Sequence, residues 1–234
     1  MTERQITRSD AEYPHRLDGI DGMPDTLWVH GAVSLDPDRT VAIVGTRSPF
    51  HLSAEVAQAI GRVAAKLGYT IVSGYATGID TAGHWGAADE DAPTIAVLGS
   101  GIRQKEPLKP ALEGYILSKG VFVSEVPDPN ARRATQHLLD RNRITAALAD
   151  IVIVVETEPA GGAAATARFA RDHQRKVYAV VWHGHEDYED PRRRGSDDLV
   201  VQGIARPLHV LDDGKKYARA DLEAELRRAL LCGS

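Results

Sequence analysis

Four glycine-bearing turns and one basic triplet are the residues of this chain best suited to hold phosphate. Gly45-Thr46-Arg47-Ser48, Ser73-Gly74-Tyr75-Ala76-Thr77-Gly78, Gly99-Ser100-Gly101 and Gly161-Gly162 each follow a short apolar run. Glycine permits positive φ and close approach of a ligand to the backbone, so several such turns on one rim would form a cradle of N–H donors. A short connection also uses glycine simply to turn, but four at one edge favour a ligand site. Arg47 places a planar, permanently charged donor directly after the first turn. Arg141-Asn142-Arg143 precedes the apolar stretch 144–149, which reads as a helix. Arginine in a first helical turn opposes the helix dipole by ~0.3–1 kcal/mol unless an anion is bound there.

Other chemistries find less support. Asp80 and His84 are four residues apart on one helical face, but no third ligand is evident. A helix-start Asp bonding backbone amides and a hydrogen-bonded His account for both. His183 and His185, followed by Glu186, Asp187, Glu189 and Asp190, read as a solvated loop. No G-x-G-x-x-G or Walker pattern indicates a dinucleotide or P-loop site, and no G-x-S-x-G elbow supports a nucleophilic serine. The one cysteine, Cys232, allows neither an intramolecular disulfide nor a cysteine-rich metal site. No catalytic residue, metal or cofactor is expected.

These turns need a frame. The apolar runs 41–44, 70–72, 94–98, 121–123, 151–155 and 177–181 are continuous, as in strands buried on both faces. Helical spacing occupies 54–67, 79–88, 108–118, 144–149 and 163–173 between them. The expected fold is therefore α/β: a Rossmann-like, doubly wound, mostly parallel sheet with helices on both faces and right-handed crossovers. Residues 1–40, broken by Pro14, Pro24 and Pro37, read as an N-terminal extension docked on the core through Leu17, Ile20, Leu27, Trp28 and Val29. The core unit is placed at 41–212 and a C-terminal helix at 213–234. The stretch 182–195 reads as an exposed loop, and 199–211 as a short helix with an edge strand.

A length of 234 residues with 43% hydrophobic content supports one substantial core. The formal net charge of −5 means that any nucleic-acid site must be a local patch. With no signal-peptide core and no run of ~18 apolar residues, the expectation is a cytoplasmic protein without a membrane.

Five ordered motifs carry a family resemblance: Val41 through Arg47, Ser73 through Asp80 with Ala82-Gly83-His84, Thr94 through Gly101, Ser124-Glu125-Val126-Pro127, and Arg141-Asn142-Arg143-Ile144. Together they resemble the DNA-processing protein A (DprA/Smf) family, from Tyr13-Pro14 to about Gly203. The resemblance implies a non-enzymatic protein that binds single-stranded DNA in this cleft, forms a homodimer, and loads a RecA-type recombinase during natural transformation. By motif, it implies that Arg47, Ser73, Gly74, Arg141, Asn142 and Arg143 hold phosphates, with Gly45, Gly99 and Gly101 allowing close approach. Thr46 and the Gly161-Gly162 turn complete the expected DNA- and phosphate-binding set. Leu138 stands where the family usually carries a base-stacking aromatic, and Gln104-Lys105-Glu106-Pro107 replaces a usual Tyr-Pro. The competing reading is a nucleotide-ligand sensor or a nucleoside-phosphate-processing enzyme on the same fold. That reading expects a closed pocket with Glu156 or Glu125 facing a sugar.

Overall fold

The computed structural model describes residues 2–105, 110–183, 190–211 and 217–231. Lys109, His185, Cys232 and residues 184–189 of the expected loop lie outside the described residues. Two strands, β1 (Arg4–Thr7) and β2 (Thr26–Gly31), precede a regular alternation: β3 (Thr40–Gly45), α1 (His51–Lys66), β4 (Thr70–Ser73), α2 (Ile79–Ala88), β5 (Thr94–Leu98), α3 (Pro110–Lys119) and β6 (Val121–Ser124). The alternation continues through α4 (Thr135–Ala147), β7 (Ile151–Glu156), α5 (Gly162–Asp172), β8 (Lys176–His183), α6 (Pro191–Val201), β9 (Arg206–Leu211) and α7 (Arg219–Leu231).

All nine strands join one sheet in the order β1-β2-β6-β5-β4-β3-β7-β8-β9. From β6 to β9 every neighbouring pair is parallel. Each residue of these strands faces one of two covered sides, which is why the runs are continuous rather than alternating. In β7, Val152 and Val154 join the core beneath α4, α5 and α6, while Ile151, Ile153 and Val155 join the core beneath α1, α2 and α7. Burying each such side chain stabilises the fold by roughly 1.5–3 kcal/mol. A third cluster, with Tyr75, Leu98 and Phe122, lies under α3.

The N-terminal forty residues do more than dock. β2 runs antiparallel along β6, pairing Val29 with Val123, and β1 pairs antiparallel with β2. Alternating burial puts Leu27 and Val29 inward. The connecting stretch is held by Arg16, whose guanidinium is bonded to Asp36 and to Asp150 at 3.2 Å. Asp150 in turn accepts Thr40 N at 2.8 Å.

The expected loop at 182–195 is also corrected. β8 continues to His183, and helix α6 begins at Pro191. Proline fits a first helical turn because its missing N–H has no intrahelical partner there.

The chain moves outward from β3 through β4, β5 and β6, then returns to place β7 on the other side of β3. The connections after β3 and β7 therefore diverge, and this point is where an open α/β sheet leaves a crevice at its carboxyl edge.

Candidate nucleic-acid interface

Two adjoining cavities occupy that carboxyl edge. The first, about 600 Å³, lies over the ends of β4 and β5 and is walled by α4 and the 132–133 segment. The second, about 370 Å³, lies at the β3–β7 divergence and reaches the first turn of α5. Arg47, Ala76, Leu138 and Arg141 line both cavities, so together these form one cleft with two compartments.

Arg141 sits at the centre. It is 7% exposed, although it lies in the middle of α4 rather than at its start. The expected helix-start geometry is thus corrected: α4 begins at Thr135, two turns earlier, and the dipole argument does not apply to Arg141. Its Nη2 is 3.6 Å from Asp80 Oδ2, and its Nη1 donates to the Val97 carbonyl at 3.3 Å. Its Nε has no hydrogen-bond partner. Gly74 leaves the space this guanidinium fills, since a Cβ at residue 74 would overlap Arg141. Burial holds Arg141 below the usual guanidinium pKa, with Asp80 opposing that shift.

Asp80, in the first turn of α2, accepts Ala76 N at 3.4 Å. Burial raises its carboxyl above the ordinary value, against the lowering effect of Arg141. His84, one turn on, is fully buried and is pushed down to about 3 by burial. Its Nδ1 lies 2.7 Å from Thr94 Oγ1, whose proton goes to the Ile71 carbonyl. A hydroxyl has one proton to give, so Nδ1 carries its own and donates it to Thr94, while burial keeps the ring neutral at neutral pH. Asp80 thus bonds the backbone at the start of α2 and His84 ties that helix to β5, as expected of a helix-start Asp and a hydrogen-bonded His.

Arg47 is exposed and makes no ion pair with the described residues; Arg132, in the first compartment, makes none either. The surplus positive charge of the cleft therefore sits on these two arginines, with Arg133 beside them. Lys105 lines the same wall, but its Nζ lies 5.2 Å from the Phe122 ring centroid and 3.5 Å from Glu113.

Of the expected phosphate set, Gly45, Thr46, Arg47, Gly74, Gly99, Arg141, Asn142, Gly161 and Gly162 line one or both compartments. Ser73, Gly101 and Arg143 do not. Ser73 is fully buried and donates to the Ile43 carbonyl at 2.6 Å. Arg143 forms a bidentate pair with Glu125, at 2.7 and 2.6 Å, and donates to the Gly22 carbonyl at 2.9 Å. It clamps α4 to β6 and the N-terminal segment. Two glycines serve self-packing: a Cβ at Gly99 would press on Leu138, and one at Gly101 on the Asp128–Pro129 backbone.

Arg132, Arg133, Thr135 and Leu139 also line the cleft without having been expected there, beside Gln104 of the stretch that departs from the family pattern. Two adjacent arginines between a proline-containing turn and a helix were the available signal. Among the described residues, no group of three or more His, Cys, Asp or Glu could hold a metal, and no helix is long and apolar enough to cross a membrane.

Neither Glu125 nor Glu156 enters the cleft. Glu125 is held by Arg143, and Glu156, fully buried, accepts Phe50 N at 3.3 Å. The one carboxylate at the mouth, Glu158, is exposed to solvent.

The motif positions now on the cleft walls fall within a longer match. Residues 4–217 fit the family model of DNA recombination-mediator protein A. The chain belongs to this family. It is 39% identical over 160 residues to a putative DNA processing protein DprA of Mycobacterium tuberculosis, covering 67% of this chain and 41% of that relative. The chain thus spans less than half the length of that curated relative. The solved DprA structure from Streptococcus pneumoniae superposes with a TM-score of 0.79 at 30% identity, covering 96% of this chain and 75% of that one. DprA from Helicobacter pylori, whose structure addresses its single-stranded DNA binding mode, superposes at 0.77 over 97% of both chains with 24% identity. That second likeness concerns the fold alone.

Proposed function

We propose that the cleft binds single-stranded DNA through its phosphates, with little sequence preference, and that the protein performs no chemistry on it. The observation that carries this reading is the grouping of Arg47, Arg132 and Arg141 along one open cleft in a chain whose net charge is −5; among the described residues that line it, the carboxylates are the buried Asp80 and the solvent-exposed Glu158. Backbone amides and arginines read phosphate without reading base identity. Membership of the recombination-mediator family and the single-strand binding of the Helicobacter pylori protein support the same reading. Residues 41–212 would form the binding unit, with 1–40 as an extension and 213–234 as a terminal helix. Handing the bound strand to a RecA-type recombinase, homodimer formation, a cytoplasmic location and a role in natural transformation complete the proposal.

The test is a fluorescence-anisotropy titration of labelled oligo-dT and matched duplex across a salt series, with wild type and an Arg47→Ala/Arg132→Ala variant. Tight, salt-sensitive binding of the single strand that the variant loses is the expected result. No binding of the single strand at low salt would overturn the reading.

A further inference from the structure

The first compartment carries a free neutral amide, which the second does not. Gln104 is exposed and lines the first compartment, and its side chain has no hydrogen-bond partner among the described residues. In the second compartment the amide of Asn142 is already engaged, with Nδ2 donating to the Gly162 carbonyl at 3.3 Å.

A second, independent observation is that the backbone beneath Gln104 is fixed on both sides. Its N–H donates to the Gly101 carbonyl at 2.8 Å, and its carbonyl accepts Ser100 Oγ at 2.5 Å. Gly101 N donates to the Ala131 carbonyl at 2.8 Å and Arg103 N to the Pro129 carbonyl at 2.9 Å. Arg103 Nε also donates to Glu3 Oε2 at 2.6 Å, which ties the turn to the N-terminal segment. The turn bearing Gln104 and the segment leading to Arg132 are therefore one hydrogen-bonded unit. A side chain carried on such a unit loses no backbone freedom when it takes a partner.

The rest of the wall is of two kinds. Ala76, Leu98 and Leu138 are apolar, and Arg132 is an exposed guanidinium without an ion pair. Phosphate has no use for an apolar wall. A nucleobase has apolar faces and a polar edge, and a guanidinium plane can stack on those faces. The volume of about 600 Å³ is within the range of small-ligand sites.

We infer that the first compartment seats one unstacked nucleobase of the bound strand, and that Gln104 reads the edge of that base with a preference for adenine. The seat deepens the DNA-binding reading and rests on it for the strand. A glutamine amide sets one donor and one acceptor side by side, which matches adenine N7 and N6. Adenine alone among the four bases offers such a pair on both its Watson–Crick and its Hoogsteen edge, and its two rings cover more of the apolar wall than a pyrimidine does. Guanine presents two acceptors on its Hoogsteen edge, which leave the glutamine carbonyl unpaired. The preference concerns one nucleotide, and the phosphate contacts remain indifferent to sequence.

The experiment is a fluorescence-anisotropy titration of the intact protein, wild type, Gln104→Ala and Gln104→Glu, with oligo-dT and with oligo-dT carrying one central dA, dC or dG. Wild type is expected to bind the dA strand about fivefold more tightly than oligo-dT. Gln104→Ala should bind these two strands alike, with its affinity for oligo-dT within about twofold of wild type. In Gln104→Glu the carboxylate only accepts, so the preference should move to dC, a change that general loss of affinity or of folding does not produce. Equal binding of all strands by wild type would overturn the seat while leaving the DNA reading intact. A dA preference that Gln104→Ala retains would overturn the role of Gln104, and a preference for another base would overturn the adenine assignment. Binding of no strand would overturn the seat and the DNA reading together.

Discussion

The Arg141 guanidinium occupies the space that a side chain at Gly74 would fill, 3.6 Å from the Asp80 carboxylate. A residue of α4 is thereby held at the end of β4 by the first turn of α2. Gly74→Ala is expected to displace the guanidinium and weaken oligo-dT binding by at least tenfold, while a far-ultraviolet spectrum stays native. Unchanged affinity would mean that Arg141 acts only in the core.

Asp80→Asn leaves the Arg141 charge buried without its partner. Breaking one side of such a pair costs about 3–5 kcal/mol. Urea denaturation at neutral pH should show a loss of that order, and a loss below about 1 kcal/mol would show that Arg141 finds water instead.

His84 and Asp80 act on the pH dependence with opposite signs. The folded-state pKa of His84 lies near 3, below the unfolded value of 6.5. The unfolded chain then binds more protons between these values, so stability is lost as pH falls from about 6.5 toward 3. Asp80 has a raised folded pKa, so the folded chain holds its proton longer and stability falls as pH rises above the usual carboxylate range. Urea midpoints measured from pH 7 to pH 4 should decline in wild type. In His84→Asn, whose amide can still donate to Thr94, the decline should be much shallower. An equally steep decline would assign the acid sensitivity to other groups.

Arg143→Ala separates support from binding. Losing the Glu125 pair and the bond to Gly22 should lower stability by about 2 kcal/mol. Affinity for oligo-dT, measured at a temperature where the variant remains folded, should stay within about twofold of wild type. Arg132→Ala should do the reverse, leaving the urea midpoint unchanged and reducing the salt slope of binding by about one.

Arg16→Ala removes the link between the N-terminal segment and Asp150. Hydrogen exchange should accelerate in β1 and β2 well before the parallel strands are affected. Uniform acceleration would make the segment part of one cooperative unit with the rest of the sheet.

The parallel strands were legible because burial on both faces leaves unbroken runs such as 151–155. β1 and β2 were not. An antiparallel edge is half solvated, and Leu27-Trp28-Val29 is too short among prolines and glycines to show its period. The glycine turns lie on the carboxyl rim that holds the cleft, but sequence order does not say which atom a turn makes room for. At Gly74 that atom belongs to Arg141, 67 residues on by numbering. Arg143 misled for a related reason. Two residues along a helix is a rotation of about 200°, so Arg141 and Arg143 face away from each other. The apolar stretch 144–149 marks only the end of α4, which starts at Thr135, so the sequence pattern hides that rotation and the wall that Arg132 and Arg133 line.

Thr40 and Asp150, bonded through both side chains and backbone, are 110 residues apart in the chain. The second compartment lies at the other, carboxyl ends of the same two strands. During synthesis, β3 must therefore wait beside an empty neighbour position until β7 leaves the ribosome. The nascent protein carries its cationic turn at Arg47 for most of that interval with no cleft around it, and the proposed strand-binding cleft is completed only after α4, β7 and the start of α5 have been made.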